Sequence, residues 1–255
     1  MKFLSVSAES IQEFLLLLKK SPPGPVFNPW WQADRANDIG PEAPRIRREQ
    51  LRGYLSRRVG TVRFALIGEA LGYRGGHFTG LAMTSERMLL GGKRELGIQS
   101  EDVLSGMAGR RTSKPAKCLT GFSEPTATIV WGALLGLGLR PDMFLLWNAF
   151  PWHSFDPCVG MLSNRTPTST ERTAGLPVLH ALLRLFPRAH IIAIGRIAAA
   201  GLEQLNVDAP CVRHPASGGA KLFRRQIART LASLGRNSYS KSSTGGHEQN
   251  KFRSP

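Results

Sequence analysis

The chain has 255 residues, 42% of them hydrophobic, which is enough for one sizeable core and short for two. Lysine and arginine number 34 against 18 acidic residues, a formal charge of +16, so a polyanionic partner is favoured over an acidic small molecule and nucleic acid leads the candidates. A membrane surface would attract the same charge, but no run reaches the roughly 18 consecutive apolar residues of a membrane span.

Residues 1–60 read as an N-terminal capping segment. It opens with an amphipathic helix over 8–20, "AESIQEFLLLLKK", stops at Pro22 and Pro23, and continues as an irregular basic stretch through "PRIRREQLRGYLSRR". The apolar residues 14–18 are too few for a signal peptide and follow Glu9 and Glu13, so the chain is expected to be cytoplasmic. From 61 to 236 a βα rhythm takes over. Residues 62–67, 143–147, 190–194 and 211–213 read as short buried strands. Helical patterns separate them. The clearest run over 170–186, with Leu176, Leu179, Leu182, Leu183 and Phe186 on one face, and over 220–234, with Phe223, Ile227, Leu231 and Leu234. Pro177 is a candidate kink in the first. Strands alternating with helices predict an α/β fold, a parallel sheet covered on both faces. Residues 237–255 carry few apolar side chains and much Ser, Gly and charge, the composition of a disordered tail.

The four strands lead into "GEALG", "NAFPWH", "GR" and "HPASGG". Ligands of open α/β sheets bind beyond the carboxyl ends of the strands, so these loops are expected to converge on one rim. The first belongs to "GEALGYRGGHFTGLAMTSER", residues 68–87, whose glycines let backbone approach a ligand closely. It has neither a Walker lysine nor GxGxxG spacing. Gly68 and Gly72 read equally as tight turns. Glu69 reads either as a carboxylate that orients water or stabilises positive charge, or as a helix cap. Asn148 reads either as a carboxamide matched to the N–H and C=O edge of a pyrimidine, or as the residue closing a turn before Pro151. His214, before Pro215, reads as a turn residue or as a donor to a developing oxyanion. Cys118, Cys158 and Cys211 form no CxxC pair and each reads as a small core residue; the histidines also lack metal-ligand spacing, so neither metal nor cofactor is expected.

Together, "GEALG" with "TGLAMTSE", then "LWNAFPWH", then "RHPASGG", in this order at successive strand ends, resemble the uracil-DNA glycosylase superfamily over roughly residues 60–232. The resemblance implies a three-layer α/β/α fold around a four-stranded parallel sheet. It implies that Glu69, matching the acidic residue of the GEAPG type of motif, positions or activates water. Asn148 matches the base-reading asparagine, and His214 the histidine that donates to the base O2. Met83 stands where many relatives stack a phenylalanine on the base, and a thioether can pack there too. Ala70 takes the place of an aspartate of one branch and Leu71 that of a common proline. Gly72 replaces a tyrosine that excludes the thymine methyl, which leaves that discrimination to another residue such as Tyr73. Ala216 replaces the usual serine, with Ser217 as the substitute phosphate contact. Arg213, Lys221, Arg224 and Arg225 flank the histidine loop and read by their charge as phosphate contacts, Arg224 and Arg225 equally as a solvated helix face. Cluster-bearing branches use four cysteines, so no iron–sulfur cluster is implied here. The implied activity is that of a monomer that turns uracil out of single- or double-stranded DNA and hydrolyses its N-glycosidic bond, leaving an abasic site. Two alternatives are action on another deaminated or mispaired base, such as hypoxanthine or thymine opposite guanine, and a catalytically silent DNA-binding member.

Overall fold

The computed structural model describes residues 8–104 and 106–240. In chain order its elements are α1 (Ala8–Leu17), β1 (Val26–Phe27), α2 (Ala43–Ser56), β2 (Phe64–Ala70), α3 (Gly76–Thr79), α4 (Glu86–Leu89), α5 (Ser100–Val103), α6 (Pro125–Gly136), β3 (Phe144–Phe150), β4 (His153–Ser154), α7 (Ser169–Leu185), β5 (His190–Ile194), α8 (Arg196–Gln204), β6 (Cys211–Val212) and α9 (Ala220–Ser240). The expected tail begins within the last turn of α9, and its residues 241–255 lie outside the described residues.

β3, β2, β5 and β6 lie side by side in that order, every pair parallel, and β1 with β4 forms a small antiparallel ribbon. Successive side chains of a strand face opposite ways, and β3 shows what covers each face. Trp147 meets Phe14 of α1 edge-on at 5.4 Å, and Ala149 touches the glycines that bring α7 and α8 close, Gly175 and Gly201. On the other face Phe144 meets Trp131 of α6 at 4.9 Å. Helices on both faces of a parallel sheet make the three-layer α/β/α sandwich.

The stretch expected to be irregular at 43–56 is instead helix α2. Its arginines masked an apolar face: Ile46, Leu51, Tyr54 and Leu55 are buried, and so is Arg47. The helix and the residues after it close the free edge of β3, where backbone groups would otherwise lack partners. The Leu146 N–H donates to the Tyr54 hydroxyl at 2.8 Å, and buried Arg58 donates from Nε to the Phe144 carbonyl at 2.9 Å.

β2 and β3 also run past the expected 67 and 147, because the pairs Gly68↔Asn148 and Ala70↔Phe150 continue the ladder through polar and glycine positions. Asn148 therefore sits inside a strand rather than at its end. Pro177 lies within α7, which continues to Leu185 as one helical span; its buried face is Gly175, Val178, Leu179, Leu182 and Leu185, with Leu176 and Leu183 half-buried. The cysteines are not core residues: Cys158 lies in an exposed loop, Cys211 opens the edge strand β6 in solvent, and Cys118 is half-buried. Among the described residues no helix is long and apolar enough to cross a membrane.

Candidate active site

The carboxyl ends of β2, β3 and β6 converge on a cavity of about 300 Å³. Its floor is the pair Gly68 and Asn148. A Cβ at Gly68 would lie 2.7 Å from the Asn148 carboxamide and 3.3 Å from the Met83 sulfur, so only glycine lets these two side chains meet over the strand. Asn148 is 2% exposed. With its carboxamide turned to match donors with acceptors, Nδ2 donates to the Trp147 carbonyl at 3.2 Å and Oδ1 accepts from the Leu71 N–H at 3.3 Å. One N–H and one lone pair of that amide remain.

Met83 is buried at φ 47°, a left-handed conformation that costs a non-glycine residue on the order of 1 kcal/mol or more. The surroundings hold it there. Trp131 donates from Nε1 to the Met83 carbonyl at 3.1 Å, and the Thr79 hydroxyl donates to the Thr84 carbonyl at 2.9 Å. Leu71 tucks against Gly76, where any Cβ would overlap it, and its N–H also reaches the Trp152 carbonyl at 3.3 Å, a bond that a proline there could not make.

Glu69 and His214 stand on the wall. Burial pushes the Glu69 carboxyl above its ordinary pKa, against the pull of Arg172 and of a hydrogen bond from Thr166. Burial, then the neighbouring Arg213, holds the His214 imidazole below its ordinary value. The Ala216 N–H donates to His214 Nδ1 at 3.2 Å. A neutral ring so engaged carries its proton on Nε2, where it is free to donate. A second cavity of about 560 Å³ shares Glu69 and His214 and extends past Gly195, Arg196, Arg213 and Gln226.

Of the residues singled out in the sequence, Glu69, Ala70, Met83, Asn148 and His214 all line the first cavity. Tyr73 does not. Its hydroxyl accepts from Arg74 Nε at 2.7 Å and its N–H donates to Asn164 Oδ1 at 2.9 Å. Arg213 is exposed and lines the second cavity; Ser217, Lys221, Arg224 and Arg225 are exposed on the adjoining loop and α9. Sequence reading missed Glu124, Asn164, Arg165 and Thr166, all of which line the first cavity. "NRTPT" follows no strand and Glu124 precedes an apolar helix, so neither carried a periodic signal.

A buried polar chain sets the loops around this cavity. His77 of α3 meets Asp34 through Nε2 at 3.1 Å and His153 of β4 through Nδ1 at 3.0 Å; His153 Nε2 meets the Ser163 carbonyl at 2.7 Å, next to Asn164. Burial outweighs the pull of Asp34 and holds the His77 ring down to about 3, and burial likewise holds His153 down to about 4. Arg47 continues the cluster, paired with Asp38 and donating to the Pro29 carbonyl at 3.0 Å.

Comparison with known proteins shows the family. The uracil DNA glycosylase superfamily matches residues 59–234, more than half of the chain. The chain belongs to this superfamily. Among solved structures, 23 chains match. The Pedobacter heparinus SMUG2 structure is similar with a TM-score of 0.58 over 89% of this chain and 98% of that one, at 12% identity, a likeness of fold. A search of curated proteins finds no match. The superfamily's members are hydrolases of N-glycosidic bonds that act on DNA, and in this member the matched span contains Glu69, Asn148, His214 and both cavities.

Proposed function

We propose that the protein releases uracil from DNA by hydrolysing its N-glycosidic bond. The observation that carries the reading is the convergence of Glu69, Asn148 and His214 on one cavity at the strand ends. A base within a duplex is out of reach of these groups and must first be turned out of the stack. The free N–H and lone pair of Asn148 fit O4 and N3–H of uracil, and Met83 packs beside the ring. As the bond to the sugar lengthens, negative charge gathers on the base and His214 Nε2–H donates to it. Positive charge gathers on the sugar. Glu69, made more basic by burial, directs water to it. The product is free base and an abasic site.

The second cavity, with Arg196 and Arg213, gives the sugar and flanking phosphates a place beside the same two groups. Ser217, Lys221, Arg224 and Arg225 extend a basic rim toward the backbone, and the excess of cations favours a polyanion throughout. A panel of labelled oligonucleotides carrying uracil, hypoxanthine, xanthine or mispaired thymine, in single and double strands, tests the proposal. Alkali-labile cleavage at uracil is the expected result. Cleavage only at another base would move the substrate within the superfamily, and binding with no cleavage anywhere would make the chain a silent member.

A further inference from the structure

Glu124 lies in the wall of the base cavity with no assigned role. It precedes α6, where Pro125 takes the first helical position and the glutamate side chain makes no capping bond. Two glycines make room for its carboxyl. A Cβ at Gly75 would lie 2.0 Å from Oε2, and one at Gly72 would lie 3.4 Å from Oε1 and 3.7 Å from the Asn164 amide nitrogen. Oε2 is enclosed and has no hydrogen-bond partner; among the described residues it is the only carboxylate oxygen in that condition. A buried charge without a partner is costly, whereas a neutral acid with its proton on Oε1 leaves on Oε2 only a carbonyl oxygen.

The charged groups on the surrounding elements are otherwise engaged. Arg165 is held by both oxygens of Glu171 at 2.8 Å, Arg74 by the Tyr73 hydroxyl, Glu86 of α4 by the Thr112 and Ser113 amides, and Arg87 by Thr120. The basic side chains Lys221, Arg224 and Arg225 of α9 are exposed. Glu69 and His214 share the cavity. Burial alone raises Glu124, to about 7, with no cation offsetting it.

We infer that Glu124 is a second reader of the flipped base, donating from its carboxylic acid to the exocyclic carbonyl oxygen that distinguishes a deaminated base from its amino parent. The inference rests on the glycosylase reading above. A carbonyl oxygen has two lone pairs. Asn148 on the floor takes one, and a donor on the Gly72 wall takes the other. An amino group at the same ring position presents hydrogens to both donors and is refused. The discrimination needs no contact with the rest of the ring, and it operates only while Glu124 keeps its proton.

The test is the pH profile of uracil release by wild type, Glu124→Gln and Glu124→Ala between pH 6 and 9, with melting temperatures recorded for each. The glutamine keeps a donor at every pH and nearly the same volume. Wild-type kcat/KM is expected to fall by about tenfold per pH unit above about 7, as one group ionises. Glu124→Gln is expected to match wild type at pH 6 within a few fold and to lack the fall. Glu124→Ala is expected to be slower by about tenfold at pH 6, the size of one lost hydrogen bond. A fall shared by wild type and a folded Glu124→Gln protein overturns the inference, since another group then titrates; so do flat profiles for both. Wild type that releases no base at any pH overturns the glycosylase reading and this inference together, a result distinct from either.

Discussion

On one side of the loop that joins β2 to α3, the buried rings of His77 and His153 have a partner at every nitrogen; on the other, Glu124 has an enclosed oxygen with none. Both are polar groups within a protein interior, and buried polar groups are normally hydrogen-bonded. The difference separates two uses of polarity. The histidine chain ties the N-terminal segment, α3, β4 and the loop before Asn164 into one geometry, and its satisfied contacts leave nothing to offer a ligand. The Glu124 side chain holds nothing together and faces a cavity.

The contrast predicts opposite responses to mutation. The largest effect is expected at Arg47, whose replacement by methionine strands Asp38 in the interior. Arg47→Met should lower folding stability by about 3–5 kcal/mol in denaturant titration, the range for breaking a buried pair. A variant as stable as wild type would show that the satisfied cluster is not what holds the loops.

Next comes Asn148, which belongs to the cavity rather than to the scaffold. Asn148→Asp puts an acceptor and a charge against O4 of uracil, and uracil release should fall by about 100-fold or more, the scale for losing a preorganised donor. Duplex affinity should change little, because phosphate contacts supply most of it. Normal release by a folded variant would remove Asn148 from base reading.

Gly68→Ala should give a smaller, mixed result. Its methyl would push Asn148 and Met83 apart, so release should fall by about tenfold while stability drops by about 1–3 kcal/mol from overpacking. Equal activity would mean that Asn148 and Met83 need not meet.

A further effect is a dependence of stability on pH. Because the folded Glu124 carboxyl is raised above its unfolded value of 4.5 to about 7, the folded state holds a proton that the unfolded state has released. Its stabilising contribution is full below 4.5 and is lost as pH rises through about 7. Glu124→Gln removes this slope, so its melting temperature should gain on that of wild type between pH 5 and about 8. Parallel melting curves would indicate a solvated carboxylate.

What was legible in the sequence was local. The four strands, their alternation with helices and the loops carrying Glu69, Asn148 and His214 are written in runs of neighbouring residues, since apolar periodicity and the residue types at a strand's end are set within one element. Arginines hid α2 for a related reason: the pattern assigns them to solvent, while Arg47 and Arg58 find backbone carbonyls and Asp38 only after distant segments meet.

Tertiary structure decided the rest. Asn148 became a floor residue because β2 pairs with β3 past the end of the apolar run. Tyr73, three residues from Ala70, turned away from the cavity, while Glu124 and Asn164, remote in sequence, entered it. The sequence by itself determined which elements form and which reactive residues stand at their ends. Which of those residues share a cavity, and which acid in it is left without a partner, depended on contacts between residues far apart in the chain, whose burial and pairing no local pattern encodes.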